Sequence, residues 1–579
     1  MRTSGIGFGL CLSLGIICVG DMAYGQAIPQ QDLNIIEKEQ DKIQRRNETQ
    51  RRLIELKNKS GGKTKPQVIP APDNQQLPAG DTCFQADEII LNGVTLLDEG
   101  EQAQLLKPYL GNCITLGDVD KLLKAITNLY TEKGYVAARG GVPAQDISDG
   151  SLELTIVEGH VEGYELHGEK GRKSLRLRTA FPFTIDQPLN LRDIEQGLDQ
   201  INRLKSNNAQ MKLEPGSNQG ATLIKIENQS TMPWHLTTGY DNSGNISTGV
   251  QQWTGTAELD DLIGINDYLS FSWSKDTKAG QPQQSRSLSG YWSLPFGYWT
   301  LSGSHSFYSY ASQVNATTAS YVSSGYSRTQ KFELDWVAHR DQDSKTSLST
   351  FLRQHTAASF VDNLKLDSSS YRLTSFGINP SYEDKLWGGI ASVGITYEKG
   401  IKALNADQDE GITDPATPRA QFHKAELDLS YYKPFKIGEQ NFTYNGTAHA
   451  QWSPMTLYST DQISIGGTSS VRGFKENTLG GDQGAYLQNT FSYALPQTGW
   501  EKVDKVFGTF SPFVGYDIGA LENDEKDATE KGVLSGYAFG IKSSGGYLNM
   551  GATYARPMRS PVHLDERHHE LHLNIEMSF

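Results

Sequence analysis

Beyond its N-terminal segment, the 579-residue chain has no run approaching the roughly 20 apolar residues that carry a helix across a bilayer. A bundle of membrane-spanning helices is thereby excluded. A β-barrel is not, because only every second residue of a barrel strand meets lipid. Positive charge is in the minority: 53 Lys and Arg stand against 67 Asp and Glu, a net charge of −14. That balance speaks against a nucleic-acid-binding protein, which carries a basic face. Catalytic signatures are also missing. There is no Gly-x-Ser-x-Gly, no His-Glu-x-x-His and no phosphate-binding glycine loop, so the chain reads as a non-enzyme without a cofactor. What it has in quantity is glycine (58) and tyrosine (26), while hydrophobic residues make up only 37%.

Cysteine is scarce, with four in all. Cys11 and Cys18 fall in a segment with the marks of a secretory signal: Arg2 at the start, an apolar core from Ile6 to Val19, and Ala23-Tyr24-Gly25 supplying small residues for cleavage after Gly25. The alternative is a retained anchor, for which the apolar core is short. Cys83 and Cys113 would then remain. In an exported protein such a pair reads first as a disulfide, stabilising its domain by roughly 3–4 kcal/mol in the chain-entropy model. Two free buried thiols are the other reading, and the spacing fits no zinc motif.

The chain divides by composition into 1–25 (signal), 26–59, 60–80, 81–159, 160–229 and 230–579. Gln31 to Asn58 contain good helix formers and no Pro or Gly, but Ile36, Ile43, Leu53 and Leu56 give only a sparse apolar stripe. Taken locally, this segment is a solvated tail or a helix in a polar, water-filled cavity. Residues 60–80, with Gly61-Gly62 and four prolines, form a linker able to reach roughly 60 Å. Residues 81–228 read as two small α+β units. Phe84–Leu91 is strand-like, Glu101–Leu110 and Asp118–Lys133 are helical, and Leu152–Glu158 is a strand. The pattern then recurs through Val161–Leu166, a helix carrying Leu191, Ile194, Leu198, Ile201 and Leu204, and short strands at Met211–Leu213 and Thr222–Ile226.

From Trp234 onward, helical periodicity gives way to alternation. At the end of the chain, Leu571, Leu573, Ile575, Met577 and Phe579 alternate with His572, Asn574, Glu576 and Ser578, as expected of a strand between lipid and an aqueous lumen. About sixteen such segments fit the 346 residues from Trp234 to Phe579, against the 9–11 residues a strand needs to span the bilayer. Leu259–Asp267 and Pro295–Tyr298 read as short periplasmic turns, Lys402–Pro418 and Glu522–Lys531 as polar extracellular loops.

One gap, Pro454 to Gly480, is long and rich in Gly, Ser and Thr. It contains Ser470-Val471-Arg472-Gly473-Phe474. Each arm of the gap reaches about 40 Å, more than the apolar height of a barrel, about 25 Å, so the loop can fold back into the lumen. In the strand-like run Phe507–Gly519, Phe510, Val514, Tyr516 and Ile518 would face lipid, which turns Asp517 and Gly519 inward. Asp517 is the only acid there. Arg472 and Asp517 are either a lumenal ion pair pinning the loop or two separate solvated charges. His568, Glu570 and His572 are read as a polar wall rather than a metal site.

The motifs in combination resemble one family. Val471-Arg472-Gly473-Phe474 is similar to the loop motif of the BamA-like superfamily, and Phe513-Val514-Gly515-Tyr516-Asp517-Ile518-Gly519 to the strand motif that follows it. Asp241-Asn242-Ser243-Gly244 resembles the end of the first barrel strand in one branch. Leu191-Arg192-Asp193-Ile194-Glu195-Gln196 and Ile201-Asn202-Arg203-Leu204 resemble its second polypeptide-transport-associated (POTRA) domain. That branch is the two-partner secretion transporter family, of the ShlB/FhaC/HecB type. The resemblance implies an all-β 16-stranded transmembrane barrel, two N-terminal periplasmic α+β POTRA domains, and an N-terminal plug helix at 26–59, which reverses the local reading of a tail. It also implies an Arg472–Asp517 clasp in the lumen and Phe579 as the barrel assembly signal. The chain departs from the family at Gln488 and Thr490, where an Arg and a Glu often stand.

The expected partners are a secreted exoprotein (adhesin, haemolysin or contact-dependent inhibition toxin), outer-membrane lipids and the barrel-assembly machinery, with no nucleic acid and a monomeric state. Cargo capture is expected by strand addition at edges near Val136 and Met211. The rivals are a BamA-type assembly factor, which normally has more POTRA domains and no plug, and a passive porin.

Overall fold

The computed structural model describes residues 83–167, 173–277, 283–315, 320–522, 531–562, 564 and 568–579. The expected signal segment, plug helix and linker lie outside the described residues, as does most of Glu522–Lys531.

The first α+β unit opens on two short strands, Cys83–Gln85 and Glu88–Asn92, rather than one. The break has a cause: the first pairs antiparallel with Cys113–Thr115 and the second parallel with Ser151–Val157, so the chain changes partner at Ala86-Asp87. Cys83 and Cys113 are joined by a disulfide across that first pair. Thr115 and Asp118 cap each other's backbone to start the helix Leu116–Glu132, which buries Val119, Leu122, Ile126 and Tyr130 along one face. Glu158, just after the strand Ser151–Val157, ties this unit together. It accepts from the backbone N–H groups of Thr95 (2.7 Å) and Leu96 (2.8 Å), from the Thr95 hydroxyl and from the Tyr130 hydroxyl at 2.7 Å.

The second unit is a three-stranded sheet, His160–His167, Ala221–Asn228 and Ala209–Pro215 in that order, covered by helices Lys173–Ala180 and Leu191–Asn202. Asn190 caps the latter helix, and Leu191, Ile194, Leu198 and Ile201 face the core. Its other face is polar yet still buried, because it meets the barrel. Gln196 and Gln200 donate to the Gly297 carbonyl (3.1 and 2.8 Å). Arg340 donates to Asp199 at 2.6 Å, and the Tyr298 hydroxyl donates to Asp193 at 2.6 Å. Arg203, the helix's C-cap, reaches Ser293 (2.8 Å) and the Asn266 carbonyl (2.6 Å), and from the neighbouring helix Lys173–Ala180 Arg176 reaches Asp261 at 2.9 Å. The helix is thus amphipathic with both faces occupied.

The remainder is a closed antiparallel barrel of sixteen strands. The first, Trp234–Asp241, pairs with the last, Glu570–Ser578. Alternation sets the two faces: Leu571, Leu573, Ile575 and Met577 are exposed outward, as are Val514, Tyr516 and Ile518, while Asp517 between them is fully buried. An apolar exterior around a polar interior is the arrangement of a transmembrane barrel. The expected turns fall between the second and third strands, Gln252–Asp260 and Tyr268–Asp276, and between the fourth and fifth, Gln284–Phe296 and Trp299–Asn315.

Partial burial alone would raise the Glu158 carboxyl. The hydrogen bonds from Thr95, Tyr130 and Leu96 outweigh it and hold its pKa below the ordinary glutamate value. Its contribution is therefore present above the unfolded-state pKa, about 4.3, and is lost as pH falls through the folded one. Glu158→Ala should lower the stability of this unit by about 1–2 kcal/mol at pH 7. The difference from the unsubstituted protein should shrink as pH falls below about 4. Amide exchange at Thr95 and Leu96 measured across pH checks both; a difference that does not change with pH would refute the carboxylate's role.

Candidate functional site

The eleventh barrel strand, Gln440–Trp452, and the twelfth, Gly484–Ala494, are joined by a loop that turns back into the lumen. Its apolar residues explain why it folds there. Ile463–Ile465 pairs with Leu479–Gly481 as a small hairpin. Ile463, Ile465, Val471, Phe474 and Leu479 collapse onto Leu521, Leu534 and Leu564, forming a buried hydrophobic cluster inside a polar barrel. Gln488, where the family often has Arg, braces the loop by donating to the carbonyls of Thr468 and Ser470 (3.1 Å each).

The structure brings Arg472 and Asp517 together. The guanidinium grips the carboxylate in a fork, Nε to Oδ2 at 2.6 Å and Nη2 to Oδ1 at 2.7 Å. The Arg472 backbone N–H adds a third bond at 3.1 Å, and the Asn489 N–H a fourth at 3.2 Å. Arg472 Nη2 also donates to the Asn489 carbonyl at 2.7 Å. The strand Gly508–Leu521 makes room for this. A Cβ on Gly515 would stand 2.2 Å from Arg472 Nη2, and one on Gly519 would stand 2.6 Å from Ile465. Gly473 holds a positive φ of 96° against the Arg556 backbone, which only glycine adopts readily.

A second anchor was not read from the sequence. Asp461, on the loop's single 3-10 turn, is fully buried and paired with Arg353 and, at 3.5 Å, with Lys424. Glu398 completes the group, 2.7 Å from Arg353 and 3.4 Å from Lys424. These three wall residues stand on the seventh, ninth and tenth strands, Ser344–Val361, Gly389–Gly400 and His423–Ile437. The alternation that singled out Asp517 also turns Glu398 and Lys424 inward, opposite in parity to the exposed Ile395, Tyr397, Leu427 and Leu429, so an inward charge was legible at both, though not its partner.

The loop's third contact is with the closure of the barrel. First and last strands share a ladder of five residue pairs, against eight on either side. Asn242 lengthens it with its side chain, which donates to the Leu571 carbonyl (2.7 Å) and accepts from the Leu573 N–H (2.8 Å), as a peptide group would. From the loop, Lys475 donates to the Asn242 carbonyl at 2.5 Å and its backbone N–H to Glu570, while Glu476 accepts from the Ile246 N–H at 3.1 Å. Asp241 accepts from the Ser243 N–H at 2.8 Å, and Gly244 packs so tightly that a Cβ would meet the Gly249 carbonyl. Phe579 pairs with Leu236 at the other end of the seam. His572 bonds Glu570 at 3.1 Å, whereas His568 is exposed and precedes the strand, so the three residues do not share one strand face. Among the described residues no group of three His, Cys, Asp or Glu could hold a metal ion.

A family model described as haemolysin secretion/activation protein ShlB/FhaC/HecB matches residues 220–543. Two POTRA models, the first of ShlB type, match residues 84–159 and 160–215. The outer membrane transporter CdiB of Dickeya dadantii is 32% identical, covering 95% of this chain and 96% of its own length. The hemolysin transporter protein ShlB of Serratia marcescens is 31% identical, covering 82% and 80%. The solved structure of CdiB from Escherichia coli superposes with a TM-score of 0.85 at 27% identity, over 96% of this chain and all of that one. With its two POTRA units, its sixteen-stranded barrel and its folded-back Val-Arg-Gly-Phe loop, the chain belongs to the ShlB/FhaC/HecB family of haemolysin secretion/activation proteins.

Proposed function

We propose that the protein sits in the outer membrane and exports a large, unfolded exoprotein, its POTRA domains capturing the cargo in the periplasm and its barrel forming the pore. The observation that carries this reading is the docking of the second POTRA domain directly on the periplasmic turns of a polar-lumened barrel, through Gly297, Tyr298, Arg340 and Asp261. A capture module is thereby held at the mouth of a passage. Relatives matching nearly the whole chain are named outer membrane transporters and others hemolysin transporters, and the cargo would be an adhesin, a haemolysin or a contact-dependent inhibition toxin. Barrel-assembly machinery would insert the protein, and it would work as a monomer.

Capture by strand addition is assigned to Ala209–Pro215. Among the described residues this strand pairs with Ala221–Asn228 alone. Asn202 already bonds both backbone groups of Ala209 and Pro215 has no N–H, so the edge on offer is the stretch between them, Gln210–Glu214. The expected edge at Val136 is not there. Val136 lies in a turn and packs against the core of the second unit, and the nearby edge strand Arg139–Gly141 has only three residues. Residues 26–59 would plug the lumen between transport events and leave during them. Deleting them should raise single-channel conductance in planar bilayers; unchanged conductance would remove the plug from the mechanism.

Arg472 and Asp517 would hold the loop in the transport-competent position. Removing either strands a buried charge, at a cost of about 3–5 kcal/mol, enough to release the loop from the strand Gly508–Leu521. Arg472→Ala and Asp517→Ala should each reduce secretion of the partner exoprotein about tenfold or more, while the barrel stays heat-modifiable and as abundant as before. Arg472→Lys should also fail in large part, because an ammonium cannot form the fork. Normal secretion by both alanine variants would end this assignment. The same loop would brace the short seam. Asn242→Ala removes two hydrogen bonds worth about 0.5–1.5 kcal/mol each, and Lys475→Ala a third. Both should speed amide exchange in Leu571–Ser578 and leave the sixth and seventh strands, Ser320–Arg340 and Ser344–Val361, unchanged. Equal protection at the seam would show that the loop does not brace it.

A further inference from the structure

The second POTRA unit carries a loop that its own fold does not explain. Between helices Lys173–Ala180 and Leu191–Asn202 runs Phe181-Pro182-Phe183-Thr184-Ile185-Asp186. Two of its residues face inward. Phe181 stacks on Tyr164 at 4.3 Å within the core, and Thr184 accepts a hydrogen bond from the Tyr164 hydroxyl at 2.7 Å. Asp186 is fixed by its N–H to the Val161 carbonyl at 2.8 Å. The loop is therefore held from within. The residues between these anchors point out: Phe183 is 87% exposed and Ile185 54%. Phe183 does so at a φ of 60°, a conformation that bulky side chains rarely take. A backbone strained to present an aromatic ring to solvent is not what folding of a small soluble domain selects.

Its surroundings supply the reason. The Phe183 ring meets Phe296 edge-on, with centroids 5.9 Å apart. Phe296 ends the fourth barrel strand on the outward face, the one that also carries the exposed Leu288. Beside it in register stands Trp299, stacked on Trp336 at 5.5 Å, both exposed outward. These rings lie at the periplasmic end of the outer wall, the level at which barrels carry an aromatic girdle in contact with lipid headgroups. Phe183 continues that girdle from a different domain. We propose that the Phe183–Ile185 loop is a membrane anchor, by which the second POTRA unit inserts into the periplasmic leaflet of the outer membrane next to Phe296. The occupant is lipid rather than cargo because Phe183 abuts the outside of the barrel, not its mouth.

The test uses the full-length protein in phosphatidylethanolamine/phosphatidylglycerol vesicles. Single cysteines replace Phe183, Ile185 or, as a control, the exposed Gln210 (Phe183→Cys, Ile185→Cys, Gln210→Cys). Each carries an environment-sensitive fluorophore, and the Cys83–Cys113 bridge leaves the new thiol to take the label. The expected result is blue-shifted emission at 183 and 185, quenched several-fold by lipids bearing a nitroxide near the headgroup, with water-like, unquenched emission at 210. The two labels are independent, so a folding defect in one variant leaves the other to decide. Emission at 183 and 185 as water-like and unquenched as at 210 would overturn the proposal. So would shielding that appears only when exoprotein is added, which would make the loop a protein-binding site.

Discussion

A carboxylate with no exposure to water must be satisfied by the protein, and Asp517 shows what that requirement imposes. Its two oxygens take four donors: two from the Arg472 side chain, the Arg472 backbone N–H and the Asn489 N–H. A wall residue of the barrel is therefore stable only while the loop is in place. The loop in turn can come this close only because the wall opposite it is glycine, at Gly515 and Gly519. Charge, backbone and missing side chains form one constraint, and no member of it can be changed alone.

That constraint reaches beyond one pair. Asp461, at the other end of the loop, meets a cationic pair, Arg353 and Lys424, on the seventh and tenth strands. Lys475 and Glu476 reach the junction of the first and last strands. The loop thus spans the lumen from the thirteenth strand, Gly508–Leu521, to the seventh and tenth, and also touches the short seam. A segment fixed at three places does not drift; it leaves only if buried charges find new partners.

Period-two alternation made the barrel legible, and with it the inward face of Asp517, because a strand between lipid and water has no freedom in which side chain goes where. The loop motif placed Arg472, and reach alone allowed the two to meet. Asp461 was not legible as an anchor, since its partners Arg353 and Lys424 come from two strands distant in sequence and each looks like an ordinary lumenal charge. The seam was half legible: Asp241, Asn242 and Gly244 stood out as a motif, but nothing in the sequence shows that an asparagine amide continues a ladder of peptide groups. The edge expected at Val136 failed for a plain reason. An apolar residue after a helix can pack against the next domain instead of joining a sheet, and Val136 does so.

That same packing limits where the molecule can move. Gly134, at the end of the first unit's long helix, accepts the N–H of Leu191, which opens the second unit's helix, and Gly159 accepts that of Leu189. The two units are thus joined by backbone as well as by Val136 and Ala137. The second is held to the barrel through Arg340–Asp199, Arg176–Asp261 and Tyr298–Asp193. To swing the periplasmic arm as a rigid body would break two partly buried ion pairs and a charge-assisted hydrogen bond at once. The helix face that makes these contacts is occupied by the barrel, whereas the strand Ala209–Pro215 lies at one border of the second unit's sheet. Inside the barrel the loop is held by contacts of the same kind, at Asp517, at Asp461 and at the seam.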